Sequence, residues 1–292
     1  MIRYSVIIPH YASLDVLPRA VASVLERDDI EVLVIDNSQQ PIAPTLFKER
    51  KNVQILYSPY GKGAGAARNV GLAHAQGRWL LMLDADDFFT EGAFDCMDRF
   101  AEAEEDIVFF YSTSCDSDSL APSNRQEDTN ELIDAYLHTK DEGGLRYGWS
   151  SPWAKMIKRS LVEQNHILFD ETHVSNDVLF SAKTGYWAKS ITASTERIYC
   201  ITTRQGSLTQ TPSLKNLNQR IDTSIRFNAF LKEHGIRQYR KSIMYLVYTI
   251  ARNYGYGEAV KTILRSIKAG NNPFIGMSRW AGTIRKNKSK NK

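Results

Sequence analysis

Four short runs of the chain are apolar almost throughout: YSVII (4–8), which Pro9 is expected to end, and EVLVI (31–35), RWLLML (78–83) and IVFFY (107–111), which stop at polar residues. Runs this short, without polar alternation, suit strands buried on both faces. A weaker strand signal covers 53–57. Between the runs lies helical spacing. Ser13 is placed to cap a helix with Leu14, Leu17, Val21, Val24 and Leu25 on one face, and Pro18 is tolerable in its early turns. GKGAGAARN opens a helix to about Gln76, and another runs from about Gly92 to Glu104. Alternation of this kind predicts an α/β fold with a mostly parallel central sheet flanked by helices. Ligands of such sheets collect beyond the carboxyl ends of the strands. There the sequence puts Tyr11, Asp36, Asp84 and Asp86.

The stretch LLMLDADDFF (80–89) sharpens the point. Three carboxylates follow a buried strand, and like charges so close repel the more when desolvated. Turn formation or capping explains Asp87. For Asp84 and Asp86 the alternatives are turn residues or ligands of a hard divalent cation, Mn2+ or Mg2+, which takes carboxylate and phosphate oxygens. In an extended chain the first and third side chains share a side, so Asp84 and Asp86 are expected to face one cleft.

Beyond residue 111 the text changes. Residues 112–150 are rich in Ser, Asp and Asn around a short helical stretch near 129–139, and WSSPWAKMIKRSL follows. A helix is predicted from about Ser175 to Gly185, with Ser175 as its cap and Asp177 as a first-turn acid kept ionised by the helix dipole. Strand-like text covers 191–203, and residues 214–268 are helical. The three cysteines show no CxxC spacing, which argues for a reducing, cytoplasmic setting and against structural zinc. The net charge of +4 conceals a bias: Lys261 to Lys292 hold nine Lys/Arg and no acid. With Phe274, Ile275, Met277, Trp280 and Ile284 interleaved, this tail suits peripheral contact with an anionic membrane. It contains no nucleic-acid-binding module, so nucleic acid is not an expected partner.

In order, SVIIPHY, EVLVIDNS, GKGAGAARNVGLAHAQGRWLLMLDADD, WAKMIKRS and SNDVLFSAKTG resemble a family-two glycosyltransferase with the GT-A fold, of the bacterial polysaccharide and lipopolysaccharide type. The resemblance spans roughly residues 4–210. It implies a catalytic domain over 1–210, with a nucleotide-sugar-binding half (1–111) and an acceptor and catalytic-base half (112–210). Residues 211–292 would then form a helical C-terminal region with a basic tail. It also implies an inverting transfer from a UDP-sugar to a glycan acceptor, lipid-linked in surface polysaccharide synthesis, at the inner face of the cell membrane. By resemblance Pro9 and Tyr11 line the nucleotide pocket, Asp36 and Arg68 contact the base, Asp84 the ribose, and Asp86 the metal on the diphosphate. Asp177 is the general base. Trp149, Trp153, Lys155 and Asn176 are candidate acceptor contacts, with Lys155 approaching a phosphate. Arg204 and Ser207 fall where the family has a loop near the diphosphate. The chain departs from the family pattern at Ala12 (usually Asn), at Asp36-Asn37-Ser38 (often DDGS) and at Asn176-Asp177 (often ED).

Two other readings stay open. Gly61-Lys62-Gly63-Ala64-Gly65-Ala66, with an Asp about twenty residues on, has features of the dinucleotide fingerprint of an NAD-type oxidoreductase. The other is a non-catalytic nucleotide- or glycan-binding protein of the same fold.

Overall fold

A computed structural model describes residues 1–203 and 213–275. It divides into two compact units, Met1–Gln210 and Thr211–Lys292. The first is built on one sheet of eight strands: β1 (Tyr4–His10), β2 (Ile30–Asp36), β3 (Val53–Tyr57), β4 (Trp79–Met82), β5 (Phe88–Phe89), β6 (Ile107–Asp116), β7 (Lys155–Lys158) and β8 (Ile191–Thr203). Their order is β3-β2-β1-β4-β7-β6-β8-β5. Six α-helices accompany them: α1 (Leu17–Ala22), α2 (Gly63–His74), α3 (Ala93–Asp98), α4 (Glu127–Thr139), α5 (Arg159–Gln164) and α6 (Val178–Trp187).

The apolar runs form the strands expected of them. Val6, Ile7, Ile8, Val32, Val34, Leu80 and Val108 are all fully buried in one continuous core. The sheet is parallel through β3, β2, β1 and β4 and again between β6 and β8. The short strand β7 runs antiparallel to both β4 and β6 and joins these two parts. Strand β1 lies between β2 and β4, so the connections on its two sides lead in opposite directions. That is the switch point at which α/β sheets open a crevice.

Three local expectations are corrected. Pro9 does not end β1, which continues to His10; pairing with β4 stops at Ile7↔Met82, so the ring costs that ladder no hydrogen bond. Ser13 caps no helix: α1 begins only at Leu17, and Leu14 and Leu25 lie exposed outside it. Ser175 is not the cap of α6 either. It sits at φ 56°, and Asp177 holds the capping position.

The second unit contains α7 (Leu214–Glu233), α8 (Met244–Tyr254) and α9 (Tyr256–Lys268), packed around Leu217, Ile221, Ile225, Ile243, Val247, Ile250 and Ala259. Ser213 caps α7, its Oγ accepting from Asn216 N at 3.1 Å. This unit carries 17 Lys/Arg against three Asp/Glu, whereas the first carries 20 against 30. Among the described residues no helix is long and apolar enough to cross a membrane.

Candidate active site

The carboxyl ends of β1, β2 and β4, the start of α2 and the loop before α6 hold most of the polar residues singled out above. Asp36, the last residue of β2, is fully buried. Its Oδ1 accepts from His10 Nδ1 (2.9 Å), Ser38 N (3.1 Å) and Ser38 Oγ (2.6 Å), and its Oδ2 from Ile42 N (2.8 Å). Burial opposes its charge, but these donors outweigh burial and hold the carboxyl below the usual range. The Ser13 N–H donates to His10 Nε2 at 3.1 Å, so the ring hydrogen is on Nδ1, facing Asp36. Three of these bonds fall on Oδ1 and one on Oδ2, so Oδ2 keeps an acceptor site for a ligand N–H. Two neighbours are different. Asn37 Nδ2 and Ser58 Oγ, just past the paired ends of β2 and β3, are buried without a partner, and so is Arg68 Nε. Tyr11 and Tyr60 stack at 6.4 Å beyond the same strand ends, both largely exposed.

The aspartate cluster is not an extended strand end. A turn follows β4, with Asp87 N donating to Asp84 O at 3.0 Å, and it sends the three side chains to three environments. Asp84 Oδ1 takes Arg68 Nη2 at 2.5 Å. Asp86 is exposed, while its backbone carbonyl is held by Arg19 Nη2 and Thr202 Oγ1. Asp87 caps neither turn nor helix. It is buried and accepts from Tyr199 OH and Thr202 N, both at 2.7 Å. Burial, then the charges of Asp86 and Asp84, push its carboxyl well above the ordinary range. Tyr199 also accepts from Asp84 N at 3.1 Å, so one phenol on β8 fixes both ends of the aspartate turn.

Arg68 is not a solvated helix-face residue. It is buried over the Phe169 ring, and its two Nη atoms reach Asp84 and Asn176 Oδ1 (2.8 Å). Next to it, Asn69 exchanges two hydrogen bonds with the Phe169 backbone, at 2.9 and 3.0 Å. The loop between α5 and α6 is thereby fastened to α2. A Cβ on Gly65 would meet Asp170 O at 1.9 Å, and one on Gly71 would meet Ile7 Cγ2 at 2.5 Å. These glycines permit close packing of α2 against that loop and against β1. The glycine-rich segment follows β3 at the sheet edge, away from the first βα unit that a dinucleotide fingerprint opens.

Asp177 ends the fastened loop. Its side chain caps no α6 N–H. Burial raises its carboxyl above the usual range, against the opposing pull of Arg68 and a smaller one of Lys155. Desolvation is thus the largest influence on its proton affinity. Lys155 is buried too, over the Phe109 and Trp149 rings at 5.1 and 5.4 Å, with Nζ donating to Trp149 O at 3.1 Å. Burial lowers it to about 7, and no phosphate can approach it there. Trp149 belongs to the core rather than to a sugar-stacking surface. Trp153 is half-buried, one ring face stacked on Tyr199 at 5.4 Å. Asn176 is buried, its amide spent on Arg68 and on Thr172 O (3.2 Å), so it braces the loop instead of meeting an acceptor. Pro9 is buried in β1. Arg204 and Ser207 lie outside the described residues.

The family model for glycosyl transferase family 2 matches residues 5–166. The chain belongs to this family. Its relatives include the uncharacterized glycosyltransferase EpsJ of Bacillus subtilis, 24% identical over 80% of this chain and 70% of that one. They also include the poly(ribitol-phosphate) beta-N-acetylglucosaminyltransferase TarS of Staphylococcus aureus, 24% identical over 70% of this chain and 36% of that protein. Among solved structures, TarS 1–349 in complex with UDP-GlcNAc superimposes with a TM-score of 0.70 at 20% identity, covering 92% of this chain and 81% of that one. The mannosyltransferase PcManGT of Pyrobaculum calidifontis, in complex with GDP-Man and Mn2+, gives 0.57 at 16% identity, covering 97% and 80%. These likenesses establish the GT-A fold, and family membership makes the chain a glycosyltransferase rather than a dinucleotide oxidoreductase.

For this glycosyltransferase the residues absent from the sequence reading are Tyr199, Asn37, Ser58 and His10. Tyr199 reads as a core aromatic in an apolar strand. Asn37 was visible as a departure from the DDGS pattern, which was the one available signal. Among the described residues no three His, Cys, Asp or Glu side chains converge as a metal site, because Arg68 engages Asp84 and Tyr199 engages Asp87. Asp86 is the exposed carboxylate of the cluster. It fits a hard cation that draws its other ligands from a diphosphate and water.

Proposed function

We propose that this glycosyltransferase moves a sugar from a UDP-sugar to a hydroxyl of a lipid-linked surface glycan, with inversion, and that Asp177 is the base. The observation carrying this reading is the bridge Asp84–Arg68–Asn176, which ties the aspartate turn to the residue next to Asp177. The acceptor oxygen bonds to the anomeric carbon as the bond to the diphosphate breaks. The acceptor proton passes to an Asp177 carboxylate oxygen, and UDP departs. Raised proton affinity makes Asp177 a better base than an ordinary carboxylate, provided it is ionised. Asp86 would hold the divalent cation, which, when bound, supplies charge neutralisation on the leaving diphosphate.

We place the base contact at Asp36 and the adjoining Asn37, whose Nδ2 has no partner. An amide with an unpaired N–H donor and a carbonyl acceptor can pair with the O4 and N3–H of uracil, and Ser58 Oγ stands beside it. Pro9 and Tyr11 keep their place at the pocket wall, and Asp84 faces the ribose. The complexes of TarS with UDP-GlcNAc and of PcManGT with GDP-Man and Mn2+ support a nucleotide-sugar donor and a cation. Calorimetric titration of UDP with and without Mn2+ tests the reading. Metal-dependent binding is expected in the wild type, and its loss in Asp86→Ala. Metal-independent binding would remove the cation from the site, and no binding under either condition would remove the donor assignment.

A further inference from the structure

Helix α9 is packed with its polarity reversed. The side it buries carries Ala259, Thr262 and Ser266, at 5%, 5% and 0% exposure. Ile263 packs against the core of the unit, but the other large aliphatic residues face out: Val260, Leu264 and Ile267 are 53%, 59% and 54% exposed, and Tyr256 at its start is 83% exposed. Spacings of four, four and three residues put these four on one stripe. Lys261, Arg265 and Lys268 repeat the pattern one residue further round, so a basic stripe runs beside the apolar one. Their ion pairs, Lys261 with Glu258 and Arg265 with Asp222, are exposed and therefore weak. Exposed Tyr245 and Tyr248 on α8 and Phe274 after α9 add aromatic surface of the kind found at membrane interfaces.

We propose that the outward face of α9 lies in the surface of an anionic bilayer. The stripe would sink among the acyl chains and the flanking cations would meet lipid phosphates. The excess of 17 Lys/Arg over three Asp/Glu in this unit selects an anionic partner. The apolar stripe selects a bilayer over a soluble polyanion, which gives Val260, Leu264 and Ile267 nothing to enter. A second copy of the chain is disfavoured by charge, since pairing α9 on α9 brings the two basic rows together. The proposal deepens the lipid-linked acceptor reading and would set this enzyme where such an acceptor is anchored.

The test is flotation of the full chain with vesicles of phosphatidylcholine, alone or mixed with phosphatidylglycerol. Leu264→Gln/Ile267→Gln removes apolar surface at exposed positions without changing charge. The wild type is expected to float with the mixed vesicles only, and the variant to partition about tenfold less or weaker still. Equal binding by the variant would mean that charge alone attracts the protein and would overturn the proposal, as would failure of the wild type to float. A wild-type dimer dissolved by the same substitutions, seen in sedimentation velocity, would assign the face to a second copy and overturn it too. UDP titration of the same proteins separates the two readings: absent UDP binding would count against the donor assignment and leave the flotation result standing.

Discussion

Asp36 and Asp177 are both acids at ends of structural elements, one fully buried and one half-buried, and their settings are opposite. Asp36 receives four hydrogen bonds and is held ionised. Asp177 caps nothing, and burial lifts its proton affinity while Arg68 restrains the rise. A carboxylate tied by several donors is a fastening, whereas one that caps nothing and has raised proton affinity is available for chemistry. The contrast gives the two residues different expected phenotypes.

The largest expected effect is on turnover. Asp177→Asn should lower the rate with a UDP-sugar by about a hundredfold to ten-thousandfold, with UDP affinity by calorimetry unchanged. Full activity in this variant would dissolve the contrast. Arg68→Met removes both bonds of the bridge and should reduce turnover by about tenfold or more, since misplacing a positioned group by an ångström has costs of that order or larger. Turnover under saturating donor is the readout. Asp36→Asn should instead register in thermal unfolding, losing about 1–3 kcal/mol by mispairing a buried acceptor, with the base still in place.

The smallest effect is in pH. Asp177 must be ionised to act, and its affinity for the proton is raised. The acid limb of kcat/KM should therefore lie above the ordinary carboxylate value of about 4, with activity rising as pH rises through it. Lys155 titrates near 7 and is charged below that. Its charge then favours ionised Asp177, so Lys155→Met should move the acid limb further up, by less than about one unit. A downward shift would show that the two groups do not sense each other.

The sheet was legible because YSVII, EVLVI and RWLLML are apolar throughout and can only be buried. Strand β7 was not, since Lys155-Met156-Ile157-Lys158 is four residues long with a cation at each end. The burial of Lys155 under two aromatic rings has no local signal. Asp84, Asp86 and Asp177 stood out by charge in apolar surroundings, and family resemblance gave them roles that only the proposed experiments can test. Ser38, two residues on, gives two of the bonds to Asp36, but the others come from His10 and Ile42, 26 and six residues away. Pattern alone could not distinguish a carboxylate already in use from one open to a ligand. Tyr199 was hidden for the same reason, its partners lying 112 and 115 residues distant.

The reciprocal bonds of Asn69 with Phe169, together with the glycine contact at Asp170, bind the loop leading to Asp177 closely to α2. Anyone recombining this enzyme with a relative should accordingly move residues 63–74 and 169–177 as one cassette. A seam between them would leave a side chain facing a carbonyl that has room only for hydrogen.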